Sequence, residues 1–139
     1  MKKMTLTIIA LFVFCGLVYA EKPPENGDYK EYYETGELKE EATYKNGKIE
    51  GIRKKYQRSG ELLLEASYKR GKVEGFIKTY TKKGKLKTKT AYVDGKKNGE
   101  SKGYYENGKV RYIDIYKNKK KIKRTLFNER GKVEKEVDF

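Results

Sequence analysis

Side chains that could do chemistry are few, and their types narrow the choice. The chain has no histidine and a single cysteine, Cys15. A nucleophile paired with an imidazole base therefore cannot be assembled, nor can a zinc site of imidazole or thiolate ligands. No acidic loop has calcium-ligand spacing. The 20 acidic residues could in principle supply a hydrolytic carboxylate pair, but they fit a solvated strand surface. Lysine–glycine stretches such as Asn46-Gly47-Lys48 are not phosphate loops, because no helix follows to offer its N-terminus. The sequence thus calls for no catalytic residue, no metal and no cofactor.

What remains is charge and aromatic surface. Lys and Arg number 34. Their densest run contains Lys117, Lys119, Lys120, Lys121, Lys123 and Arg124. It is either ordinary protection of a sheet edge or a patch that attracts anionic envelope polymers, acidic lipid head groups or acidic proteins. Tyrosines number 13. Eight of them, Tyr32, Tyr44, Tyr56, Tyr68, Tyr80, Tyr92, Tyr104 and Tyr116, recur every 12 residues and are read as packing residues. Tyr29, Tyr33 and Tyr105 lie off that ladder and have no packing duty by period, and Tyr112 shares the ladder's parity. These four are the candidate contacts to a partner, since exposed aromatic surface marks binding faces. Tyrosine beside lysine could also stack bases, but an exported protein seldom meets nucleic acid.

The elements that position these side chains repeat every 24 residues. The units are 27–50, 51–74, 75–98 and 99–122, with a partial unit at 123–139. Gly36, Gly60, Gly84 and Gly108 keep the period. So do Gly47, Gly71 and Gly95, which lapse only at Lys119. Glycine at this spacing breaks helices, while short Tyr/Thr/Ile/Val segments bounded by Asn-Gly or Ser-Gly read as strands and hairpins. Three-residue loops ending in a left-handed glycine pair Tyr32 with Leu38 and are expected at each turn. Even-numbered apolar residues are expected to share one face from end to end, leaving a mostly charged odd face. The fold class is all-β: an elongated, curved antiparallel meander of hairpin repeats with nine or ten strands.

Ahead of the repeats, Lys2 and Lys3, an apolar run from Leu6 to Leu17 and Val18-Tyr19-Ala20 have the layout of a helical signal peptide cut after Ala20. A membrane anchor wants about 20 apolar residues, and this run is shorter. Residues 21–26, with Pro23-Pro24, form an extended leader. Cleavage would export the protein to the periplasm, the cell surface or the medium. It would also remove Cys15 and leave 32 basic against 20 acidic residues, once Lys2 and Lys3 are gone.

Two stretches, Gly27-Asp28-Tyr29-Lys30-Glu31-Tyr32-Tyr33-Glu34-Thr35-Gly36-Glu37-Leu38 and Tyr44-Lys45-Asn46-Gly47-Lys48-Ile49-Glu50-Gly51, resemble the bacterial variant of the MORN (membrane occupation and recognition nexus) repeat. The resemblance covers residues 27–122 in four in-register copies. Repeat four departs from it at Lys119 and Gly103, and Phe127 and Gly131 fall one place early. It implies a run of β-hairpins that binds other molecules and catalyses nothing. Relatives are tied to lipid binding, to protein scaffolding and, in some bacteria, to antitoxins. Three readings follow: an exported module with a protein partner, a cationic binder of anionic envelope polymers or lipids, and an antitoxin-like protein. The apparent export signal argues against the last.

Overall fold

A computed structural model describes residues 22–139. The expected signal helix, with Lys2, Lys3, Cys15 and Ala20, lies outside the described residues. The rest is one antiparallel sheet of β1 (Gly27–Tyr32), β2 (Leu38–Lys45), β3 (Lys48–Ile49), β4 (Gly51–Tyr56), β5 (Leu62–Lys69), β6 (Lys72–Tyr80), β7 (Leu86–Val93), β8 (Lys96–Tyr104), β9 (Val110–Lys117), β10 (Lys120–Phe127) and β11 (Val133–Asp138). Each strand pairs with its sequence neighbours, and two-residue β3 sits on β2 beside β4. β1 and β11 are the two ends of the strand order, so the sheet is an open meander.

Two kinds of turn alternate. At five places the loop has three residues: Gly36 N–H donates to the Tyr33 carbonyl at 2.9 Å, and Tyr33 N–H donates to that of Glu37 at 2.8 Å. Gly36 has φ 97°, and Tyr32 pairs with Leu38 as expected. The other four turns differ from the expectation. They have two-residue loops in which both residues are left-handed, as in Asn46 (φ 51°) and Gly47 (φ 67°), so Lys45 pairs with Lys48. This is the hairpin turn whose own twist matches that of its strands.

The single tyrosine stripe does not form. Immediately past each three-residue loop the register slips by one residue. Glu31 pairs with Glu40 although Tyr32 pairs with Leu38, which leaves Lys39 as a bulge. Leu63, Lys87, Arg111 and Glu134 are the equivalent extra residues. A bulge places two consecutive side chains on one side, so even positions of one strand face with odd positions of the next. Tyr44, Tyr68, Tyr92 and Tyr116 lie opposite Gly27, Gly51, Gly75 and Gly99 on what we term the first face. Tyr32, Tyr56, Tyr80 and Tyr104 project from the second face, in line with Lys30, Lys54, Lys78 and Lys102.

A single layer buries little. Ala42 and Ala66 are the only buried apolar residues described. The order comes from ladders and cross-strand pairs, repeat on repeat. Each two-residue turn also hooks onto its predecessor: the amides of Gly71, Gly95 and Lys119 donate to the carbonyls of Ile49, Val73 and Lys97 at 2.9, 2.9 and 3.0 Å.

The register accounts for the early placement of Phe127. After the first turns the chain inserts two extra residues, as where Tyr68 pairs with Val73 but Ala66 with Ile77. After Asn118-Lys119 it inserts one, since Tyr116 pairs with Lys121 and Ile115 with Lys123. The shorter bulge absorbs the missing residue, and Phe127 then pairs with Val133 as Tyr32 does with Leu38. Lys119 holds φ 71° where its counterparts are glycine. A left-handed L-residue costs about 1–2 kcal/mol, partly offset by the greater chain entropy glycine loses. Lys119→Gly is therefore expected to raise stability by up to about 1 kcal/mol, read as a higher denaturation midpoint at unchanged m-value.

Candidate binding surfaces

The first face is pinned near both ends by buried ion pairs between neighbouring repeats. Arg53 grips Glu40 through Nε at 2.6 Å and Nη2 at 2.9 Å, and Lys55 Nζ stands 3.3 Å away. Burial pushes the Glu40 carboxyl up, but the hydrogen bonds and charge of Arg53, with Lys55, outweigh it and hold the group below the usual carboxylate range. At the other end Arg124 grips Asp114 at 2.6 and 2.7 Å. Between them the ladder runs Ala66, Ile77, Thr90, Ser101, with Thr90 and Ser101 hydroxyls hydrogen-bonded at 2.8 Å. The buried carboxylates of this face, Glu40 and Asp114, are both partnered, so it reads as the sheet's structural side.

The second face alternates sign along its middle: Lys30, Glu41, Lys54, Glu65 and Lys78 lie on successive rungs. Lys54 meets Glu41 at 3.1 Å and Lys78 meets Glu65 at 2.7 Å. The alternation then fails. The next rungs are Lys89 and Lys102, so three lysines stand side by side. Lys89 Nζ sits 4.1 Å from the centre of the Phe76 ring, a cation–π contact. Phe76 is 42% exposed, and Ile52, one repeat earlier, is 45% exposed. No second layer covers either among the described residues.

Tyr56 Oη donates to Glu41 at 2.7 Å on this face. Burial, then the Glu41 hydrogen bond, pushes its phenol up to about 12. A raised folded value means stability fully present below the unfolded tyrosine value of about 10 and lost as pH rises toward the folded one. Tyr56→Phe is expected to flatten that alkaline loss, and near-ultraviolet phenolate titration should lose its latest-ionising tyrosine.

The sequence-derived candidates turn out to have internal work. Tyr33 Oη donates to the Tyr56 carbonyl, and Tyr105 Oη to the Phe127 carbonyl, both at 2.7 Å. Each ties one repeat to the next; at the same repeat position, Gln57 Nε2 is buried without a partner. Tyr29 packs edge-on against Tyr44, with ring centroids 5.8 Å apart. Tyr112 lies over Gly103 and under Arg124, whose guanidinium carbon is 5.0 Å from the ring centre. All four are half-buried. The basic run is dispersed. Lys117, Lys119 and Lys120 are exposed at a turn, Lys121 and Arg124 face Asp114, and Lys123 bridges to Glu136 at 3.1 Å on the second face. Phe76 and Ile52 were missed because the even-parity reading counted them among the packing residues.

Among the described residues no group of three acidic, histidine or cysteine side chains could hold a metal ion. No helix there is long and apolar enough to cross a membrane, which says nothing of strands. The MORN repeat variant family matches residues 25–46, 49–70 and 97–118. These matches begin one and two repeat lengths apart, and the unmatched third repeat has the same strand pairing. Among solved structures, the crystal structure of TarM is similar at 17% identity and a TM-score of 0.46, over 64% of this chain and 19% of the TarM chain. No curated protein matches the chain.

Proposed function

We propose that this chain, a MORN-variant repeat protein, is an exported, non-catalytic binding module that acts on a protein partner at the bacterial envelope or outside the cell. MORN repeats form repeat-based binding modules, which supports the general class. The observation that carries the finer reading is on the second face. Phe76 and Ile52 are exposed at successive repeats, Phe76 beside Lys78 and Lys89 and Ile52 beside Lys54; Lys78 and Lys54 pair with Glu65 and Glu41, and Lys89 sits on the Phe76 ring. Apolar anchors rimmed by cations suit a protein that presents apolar side chains flanked by carboxylates. Tyr33 and Tyr105 are poorer probes of such a surface, because truncating either also breaks a bond between repeats.

The test is capture with the purified protein from envelope and host extracts, followed by direct titration with the purified partner. Phe76→Asp and Ile52→Asp are expected to weaken binding by a factor of about ten or more at unchanged circular dichroism, as loss of a central apolar anchor does. Binding indifferent to both, or lost on reaching physiological salt whatever stands at 76, contradicts a protein interface of this kind. Export is tested by fractionation: the product should begin at Glu21 and lie outside the cytoplasm, and an intact chain in the cytoplasm contradicts it.

A further inference from the structure

The two-residue turns form one long edge of the sheet, and the residue after each turn is lysine: Lys48, Lys72, Lys96 and Lys120. All four are exposed. They are not a loose scatter. The backbone hooks between successive turns fix their order, and glutamates reinforce it: Glu50 accepts from the Arg70 amide at 2.6 Å and Glu74 from the Asp94 amide at 2.7 Å. The stem of Lys48 lies against Gly71 of the next turn, within 3.3 Å of where a β-carbon would stand, and the stem of Lys72 lies beside Gly95 in the same way. Lys72 alone of the four has an ion-pair partner, Asp94 at 2.6 Å, and both those side chains are 62% exposed. Successive lysines are two strands apart, roughly 10 Å, so the four span roughly 30 Å in a line. The opposite edge is mixed in sign: its turns hold five glutamates, Glu34, Glu37, Glu61, Glu106 and Glu129, among seven cations that include Lys82, Lys83, Lys109 and Lys132.

We infer that this edge is a binding site for an extended linear polyanion, a polymer whose phosphate or carboxylate groups recur along its length. One exposed lysine against one anion is worth about 0–1 kcal/mol, so a small anion would not be held. Neighbouring lysines stand about one Debye length apart at physiological salt, so each is nearly independent of the next. A tethered series of anions converts the second and later contacts into intramolecular ones, and the line gains affinity that no single site has. A line of cations on a one-layer edge matches a polymer rather than the plane of a membrane. The site is separate from the apolar surface around Phe76, so either can fail without the other.

The experiment titrates the full-length protein with polyphosphate, polyglutamate, inorganic phosphate at equal anion concentration, and phosphatidylglycerol–phosphatidylcholine vesicles. The variant Lys48→Gln/Lys72→Gln/Lys96→Gln/Lys120→Gln is compared with Lys82→Gln/Lys83→Gln/Lys109→Gln/Lys132→Gln, which removes the same charge from the opposite edge. Expected is binding of one or both polymers that inorganic phosphate does not match. The first variant should weaken it by a factor of about ten or more, with a salt slope shallower by about three, and the second should change it little. Polyphosphate against polyglutamate tells a phosphate ligand from a carboxylate one. Equal losses in both variants, no loss in the first, no polymer binding, or binding of vesicles alone would each overturn the inference.

Discussion

Asp114→Ala is expected to destabilise the protein by about 3 kcal/mol, the low end for breaking a buried pair, because Arg124 keeps part of its side chain in water. Asp114 is 3% exposed, and its carboxylate accepts two hydrogen bonds from Arg124. Its removal strands a guanidinium that otherwise has only the Tyr112 ring and solvent. The damage should be local, since a repeat sheet opens in contiguous units. Hydrogen exchange should lose protection in β8 to β11 while β1 to β5 hold. Asp114→Val/Arg124→Leu, which removes both charges, should recover most of the loss, and a double variant no better than the single one would contradict the pairing. Acid should act on the other end. The Glu40 carboxyl is held low in the folded state, so its contribution is present above the unfolded value of about 4.3 and is lost as pH falls through the folded one. Glu40→Gln should flatten that acid limb.

Gly103→Val is expected to cost about 1–3 kcal/mol by overpacking. The Tyr112 ring lies directly over this glycine, and a β-carbon there would overlap Cε1 and Cζ. Gly103 and Tyr112 are opposite one another on adjacent strands, and the Arg124 guanidinium reaches the ring from the strand beyond. The ring cannot yield without leaving that contact. The sign should reverse when the ring is absent. In a Tyr112→Ala background, Gly103→Ala should be neutral or stabilising by about 0.5 kcal/mol, the ordinary strand preference for alanine. Equal costs in both backgrounds, from denaturant unfolding, would show that the ring is not what requires glycine. Gly103, an anomaly against the repeat pattern, thus has a partner that accounts for it.

Much of the fold was legible because it is written in glycine. The period, the strands and the three-residue loops follow from Gly36 and its equivalents, and the Tyr32–Leu38 pairing followed from loop length alone. The bulge did not. Its extra residue is Lys39, Leu63, Lys87, Arg111 or Glu134, which share no chemistry a sequence could display. A repeat of even length also preserves parity whether the register slips or not, so consistency along the chain could not expose it. Asn46-Gly47 and Asp94-Gly95 did carry a signal for two-residue turns, since both residues of such a turn need positive φ. That signal would have split the tyrosine ladder. The contact candidates Tyr33 and Tyr105 were singled out for lacking a ladder role. They share a repeat position beside the loop, and that position is where a hydroxyl can reach the next repeat's carbonyl.

The two tyrosine sets occupy opposite sides of one sheet, and the proposed partner takes the side with Phe76. Aromatic nuclear Overhauser contacts measure it directly. The Tyr44 ring should contact the Tyr29 ring, and the Tyr68 ring the Gly51 α-protons, while the Tyr56 ring contacts the Glu41 side chain. Contacts between the rings of Tyr32 and Tyr44, or Tyr56 and Tyr68, would put both sets on one side and contradict it.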